Sequence, residues 1–237
     1  MTAVLEIAGV SKDYRGLRPL RVHALTVAAG EPVALLGFDR PAAEVFINLV
    51  TGASLPDAGS VRLFGRDTTA IGDSADWLTT VDRFGIVSER AVLLEQLTVI
   101  QNLAMPFTLD IEPPNDDIRS RAARLASEAG LPESTWARPV AELDAVAHVR
   151  VRLGRALALD PAVLLLEHVS AGLPPADART LAGDLRALAA RRGAALVAAT
   201  ADEGFAGAVA GRVLTLDPAT GRLHDRRRSG WFGRRLG

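Results

Sequence analysis

"GRALALDPAVLLLEHVSAGL", residues 154–173, decides the architecture. Apolar residues at helical spacing run from Val149 to Leu159, and Asp160-Pro161 ends the run, because proline has no N–H to continue a helix. "AVLLLE" (162–167) is then continuously apolar up to its last residue, the pattern of a strand buried on both faces. A second helix is expected from about Ala176 to Arg192, closed by Gly193, and a second buried strand over Ala195–Ala199. Buried strand, helix, buried strand implies a parallel sheet covered by helices, so the chain is read as α/β.

The rest of the chain fits around that unit. Residues 3–8 and 21–28 alternate as strands do, and Gly30-Glu31-Pro32 turns the chain into the apolar strand 33–36. "LPDAGSVRLFGRD" (55–67) reads as a turn, a short strand and another turn. After the loop Pro113-Pro114-Asn115, the spacing Ile118, Ala122, Leu125, Ala126, Ala129 predicts an amphipathic helix over 116–130. "RVLTLD" (212–217) and Gly221-Arg222-Leu223 close the fold.

Composition bounds the function. With 49% apolar residues and a net charge of −1 over 237 residues, the chain is an ordinary globular protein with no general basic field. No apolar run approaches the roughly 20 residues of a membrane span, and the opening MTAVLEIAGV has neither a basic segment nor a cleavage site, so no signal peptide is expected. The absence of cysteine excludes disulfides and thiolate metal sites. Lys12 is the only lysine.

That last fact bears on "LLGFDRPAAEV" (35–45), where an apolar strand runs into Gly37 and an amphipathic run follows from Phe46. A phosphate-binding loop would carry a second glycine, a lysine and a Ser/Thr where this chain has Ala42, Ala43 and Glu44.

Taken with that loop, three further blocks make the chain resemble the nucleotide-binding subunit of an ATP-binding cassette (ABC) transporter, over roughly residues 3–224: "LPDAGSVRLFGRD", "LTVIQNLAMPF" (97–107) and "GRALALDPAVLLLEHVSAGL". The resemblance implies a P-loop NTPase-like domain over 1–225. It would have a mainly parallel core, an N-terminal antiparallel β subdomain and an inserted helical subdomain at about 90–155. ATP and Mg²⁺ are the cofactors it implies.

The family's motifs are substituted one after another. Tyr14 stands where an aromatic stacks on adenine, with packing as a surface-edge aromatic as the other reading. Of the P-loop only Gly37 matches: Ala43 removes the charge, Glu44 replaces the Mg²⁺-binding hydroxyl, Pro41 removes an N–H, and Asp39 adds an anion. Arg40 returns one positive charge from another corner of the loop. A carboxylate about 4 Å from a phosphate costs on the order of 4 kcal/mol at an effective dielectric near 20, roughly a thousandfold in affinity, unless Glu44 swings away or recruits a cation. The glutamine of the glutamine loop corresponds to Glu89, and the signature to Leu143-Asp144-Ala145-Val146-Ala147. The Walker B strand ends Leu166-Glu167-His168, leaving Glu167 as a metal ligand and His168 at the catalytic glutamate's place. His168 reads either as an unconventional base or as a hydrogen-bonded structural histidine. Ala201 replaces the switch histidine and Pro174 the aspartate of the D-loop. His148, Arg150 and Arg152 are expected to form a solvated helical face, and Glu89 and Asp202 to be polar loop residues.

Two functions follow from the resemblance. The first is a catalytically inactive docking or regulatory subunit on a membrane permease, at the inner face of the cell membrane, with an intact ABC ATPase as a further partner. The second is an ATP-hydrolysing subunit with an altered site, Arg40 replacing lysine and Glu167 holding the metal. A weaker third is a nucleotide sensor acting through Tyr14. The tail, with Arg226, Arg227, Arg228, Trp231, Phe232, Arg234 and Arg235, suits a solvated end or an anionic membrane surface; no nucleic-acid partner is expected.

Overall fold

The computed structural model describes residues 2–225, so the basic tail lies outside the described residues. Two sheets organise the chain. The first is antiparallel, formed by β1 (Ala3–Lys12), β2 (Leu20–Ala28), β4 (Ala58–Leu63) and β5 (Arg66–Asp67) in the order β2-β1-β4-β5. The second has the order β10-β9-β3-β8-β7-β6. Its strands are β3 (Pro32–Leu36), β6 (Phe84–Ser88), β7 (Val163–Glu167), β8 (Ala195–Ala199), β9 (Arg212–Leu216) and β10 (Leu223–Asp225). All neighbours in it are parallel except β10, which returns antiparallel to β9.

Alternation along the central strands divides the interior in two, since successive side chains leave a strand on opposite faces. Ala34, Leu36, Leu164, Leu166, Leu196 and Ala198 enter one core. There they meet α3 (Val99–Ala104), α4 (Asp116–Glu128), α5 (Ala145–Ala156), α6 (Pro175–Arg192) and α7 (Glu203–Val209). Val33, Leu35, Val163, Leu165, Val197 and Ala199 enter the other, under α1 (Arg40–Val50) and the antiparallel sheet. A short α2 (Ser74–Val81) lies between β5 and β6. This is why the central strands are apolar up to the Glu167 that ends β7.

Helix starts differ from the pattern-based expectation. The helix expected from Val149 begins at Ala145, and the amphipathic run placed at Phe46 begins at Arg40. Both are extended backwards by an aspartate cap, which satisfies first-turn N–H groups that apolar periodicity does not register. Asp202, expected as a loop residue, likewise caps α7 by accepting from the Phe205 amide at 3.0 Å.

Arg192 at the end of α6 forks onto Glu128 at the end of α4, at 2.6 and 2.7 Å, and reaches Asp160 at 2.9 Å. This pairing holds the Glu128 carboxyl below its usual pKa, with partial burial opposing. A depressed folded pKa contributes stability above the ordinary glutamate value, and that contribution is lost as pH falls through the folded value. Glu128→Gln is therefore expected to lower stability by about 1 kcal/mol at pH 7, allowing for solvent screening. In urea titrations across pH the gap from wild type should close below about pH 4. A gap independent of pH would assign the effect to shape instead of charge.

Candidate functional site

The parallel strands end at one level. Ser88 pairs with Glu167, Glu167 with Ala199, and Leu35 with Ala199. In an open α/β sheet this carboxyl edge is where ligands bind. Here it carries a cavity of about 280 Å³ lined by the head of α1 (Arg40, Pro41, Glu44), the residues ending and following β6 (Ser88, Glu89, Arg90) and the end of β7 (Glu167, His168).

The turn from β3 into α1 is tight. Gly37 has φ +86°, and a Cβ there would lie 2.8 Å from the Leu216 carbonyl oxygen, so only glycine fits. Two of the first-turn amides are then satisfied by Asp39. Pro41 has none, the Ala42 N–H donates to the Asp39 side chain at 2.8 Å, and the Ala43 N–H donates to the Asp39 carbonyl at 2.8 Å. Ala43 is fully buried.

The charges of the cavity pair with one another. Arg40 donates to Glu89 at 2.8 Å. Arg90 donates to Glu44 at 3.1 Å through Nη1, and to one oxygen of Glu167 at 3.1 and 2.7 Å through Nε and Nη2. Glu167 is the buried member, its side chain 8% exposed. Two guanidiniums thus face three carboxylates, and Asp39 adds a fourth at the loop.

The segment that supplies Glu89 and Arg90 is held from its far side as well. Arg152 and Arg155 of α5 donate to the carbonyls of Ala91 and Val92 at 3.2 and 2.6 Å. Fully buried Asn102 accepts from the Leu94 N–H and donates to the Leu94 carbonyl, both at 2.9 Å. Arg150 donates to the Ala129 carbonyl at 2.8 Å and to Asp184 at 2.5 Å. The expected solvated face is therefore corrected: Arg150 and Arg152 anchor α5, and burial draws the Arg152 guanidinium below its usual pKa while Glu89 opposes. The alternating apolar and basic residues of 148–155 conceal this, because a long arginine buries its stem while its head finds a carbonyl.

His168 has φ +48°, its backbone N–H donates to Ala199 at 2.9 Å, and its Nε2 is buried with no hydrogen-bond partner. The reading of a hydrogen-bonded structural ring is not met. Asp144 caps α5, accepting from the Ala147 N–H at 2.8 Å, and its carbonyl takes the His148 ring at 2.9 Å. Ala145 and Val146 form the first turn of that helix. Tyr14 is partly buried against the core beneath the antiparallel sheet. Burial, with the Asp39 carboxylate adding to it, pushes its hydroxyl above the usual pKa.

The sequence and the fold have counterparts. The chain is 29% identical over 215 residues to the methionine import ATP-binding protein MetN of Brucella abortus, covering 90% of this chain and 57% of that protein. It is 28% identical over 226 residues to the lipoprotein-releasing system ATP-binding protein LolD of Chromohalobacter salexigens, covering 94% and 93%. Its fold superposes on cbiO1 from Clostridium perfringens, part of an ABC transporter complex, with a TM-score of 0.79 at 20% identity, over 94% of this chain and 88% of that one. The chain is a homologue of the ATP-binding subunits of ABC transporters. No protein-family model matches it. The chain spans little more than half the length of the MetN relatives.

In this ABC-subunit homologue the residues that the sequence reading placed at the P-loop, glutamine-loop and Walker B lie around one cavity: Arg40, Glu44, Glu89, Glu167 and His168. Asp144, Ala145 and Val146 stand at the head of α5 and do not line it. Ala201 is exposed beyond β8. Arg90 is the residue that sequence reasoning missed. The available signal was three motif-position carboxylates with no lysine to answer them, but the partners lie 46 and 77 positions away in sequence.

Proposed function

We propose that this ABC-subunit homologue is a non-hydrolysing docking or regulatory subunit, seated at the cytoplasmic face of a membrane permease beside an intact ATPase. One observation carries the reading: the cavity where a nucleotide would sit has its charges paired internally, Arg40 with Glu89 and Arg90 with Glu44 and Glu167. The residues present do not fit a magnesium nucleotide. The Ala42 amide at the head of α1 is capped by the Asp39 side chain, Glu167 is paired with Arg90, and the excess charge is negative. His168, at the place of the catalytic glutamate, has no hydrogen-bond partner to orient its buried Nε2, which argues against a role as general base. The altered-ATPase reading needs Glu167 free to hold a metal, and the nearly buried Glu167 is engaged by Arg90.

The docking half of the proposal draws on relatives that serve import and lipoprotein-releasing systems. It draws also on the segment 88–107, where Val92 and Leu94 are exposed on a loop fixed by Arg152, Arg155 and Asn102. A fixed loop presenting apolar side chains suits a partner helix. Asp144 would oppose a phosphate carried by a paired cassette, which supports a regulatory role.

Calorimetric titration with ATP, with and without Mg²⁺, is expected to give only heat of dilution, and phosphate release should equal the blank. Affinity purification from solubilised membranes should recover a permease. Saturable Mg-ATP binding with turnover that His168→Ala abolishes would overturn the inactive reading, and a chain that recovers no membrane protein would overturn the docking one.

A further inference from the structure

A cation taken out of water needs an answering group, and two arginines of α5 lack one. Among the described residues the other partly buried arginines are all matched: Arg150, Arg192 and Arg212 with carboxylates, and Arg121 with the Phe107 ring. Arg152 and Arg155 reach only the carbonyls of Ala91 and Val92. Burial draws both guanidiniums below their usual pKa, and Arg155 is drawn further by Arg152 beside it. Arg152 commits only its Nε to Ala91, so its two Nη groups have no partner among the described residues. It lines a second cavity, of about 390 Å³, which shares only Ser88 and Glu89 with the one described above. Val87, Val149, Val169 and Leu173 give this cavity apolar walls. Ser88, 3% exposed, accepts from the Arg90 N–H, and its own hydroxyl proton has no acceptor among the described residues. The Glu89 carboxylate is taken by Arg40, and the His148 ring donates through Nδ1 to the Asp144 carbonyl.

We infer that this second cavity binds a small carboxylate with an apolar body, the charge held by Arg152 and Ser88 and the body by the valines. A mostly apolar cavity with a few fixed donors is the usual form of a small-molecule site. A guanidinium with both Nη groups unspent presents the planar fork that a carboxylate fits. A bare anion leaves the valines uncovered, and a neutral apolar molecule leaves Arg152 unanswered, so only a ligand with both parts satisfies the site. The inference goes beyond the docking reading and does not depend on it: it stands whether or not the neighbouring cavity takes a nucleotide.

The experiment titrates octanoate into the full chain carrying isotope-labelled valine methyls, and follows it by NMR and calorimetry. Octanamide supplies the same body without the charge, and acetate the charge without the body. Octanoate is expected to bind saturably with a Kd below about 1 mM, an affinity within reach of a ligand of its size. It should move the methyl signals of Val87, Val149 and Val169. Octanamide and acetate should each bind at least about tenfold more weakly, and so should octanoate to Arg152→Gln, since a charge-assisted hydrogen bond is lost in every case but acetate, where the apolar contact is lost instead. If Arg152→Gln does not fold, the ligand series and the location of the methyl shifts in the wild type decide. The inference is overturned by any of four results: no saturable octanoate binding, shifts that leave these valines unmoved, octanamide or acetate binding as tightly as octanoate, or undiminished affinity in a folded Arg152→Gln.

Discussion

Asp39→Gly/Glu44→Ser is expected to bind ATP at least about a thousandfold more tightly than the parent chain. Asp39 caps α1 through the Ala42 amide and Glu44 stands one turn into the same helix, engaging Arg90. A carboxylate about 4 Å from a phosphate costs on the order of 4 kcal/mol at an effective dielectric near 20, so removing even one is worth roughly three decades of affinity. The double variant also frees the Ala42 N–H for an anion and releases Arg90 Nη1 from Glu44. Glycine at the cap costs the helix only a few tenths of a kcal/mol relative to aspartate. Titration of a fluorescent ATP analogue into both proteins is the measurement. A variant that folds and still shows no affinity would mean that the carboxylates are not what excludes the nucleotide.

Phe46→Ala is expected to lower stability by about 3–5 kcal/mol, a large share of the roughly 5–15 kcal/mol that holds a domain together. Phe46 is fully buried on the inner face of α1 and meets Phe38 edge-on, with ring centroids 5.2 Å apart. Its loss opens a cavity beneath the helix that carries Arg40 and Glu44, where the strand ends fix the backbone and little collapse is available. Urea unfolding should show the midpoint fall with an unchanged slope. Leu17→Ala, on a fully exposed side chain, should change stability by less than about 0.5 kcal/mol. A Phe46→Ala cost below about 1.5 kcal/mol would show that the core under α1 relaxes around the gap.

Much of the fold was legible. The strand read over 195–199 is the observed β8, and those read over 162–167 and 33–36 differ from β7 and β3 by one residue each. Strands covered on both faces carry apolar residues at successive positions, interrupted in β7 only by its last residue, Glu167. Short elements at the periphery were less legible: α2 buries no residue, so no apolar stripe marks it. Helices α1 and α5 start earlier than their apolar periodicity, each behind an aspartate. Asp39 and Asp144 do what an aspartate most often does before a helix, accepting from the amide three residues on.

The candidate site divides along the same line. The sequence by itself determined the α/β frame, the order of its blocks and the replacement of residues at each motif position, because these follow from apolar periodicity and from residue identity at fixed spacing. Only the tertiary structure decided what the replaced residues do. Arg90 lies next to Glu89 in sequence yet pairs with Glu44 and Glu167, and Arg40 reaches past the Asp39 beside it to Glu89. Ion pairing depends on a few ångströms of separation and on the dielectric around each group. Those are set by which strand ends the sheet brings to one level, and no local pattern along the chain encodes them.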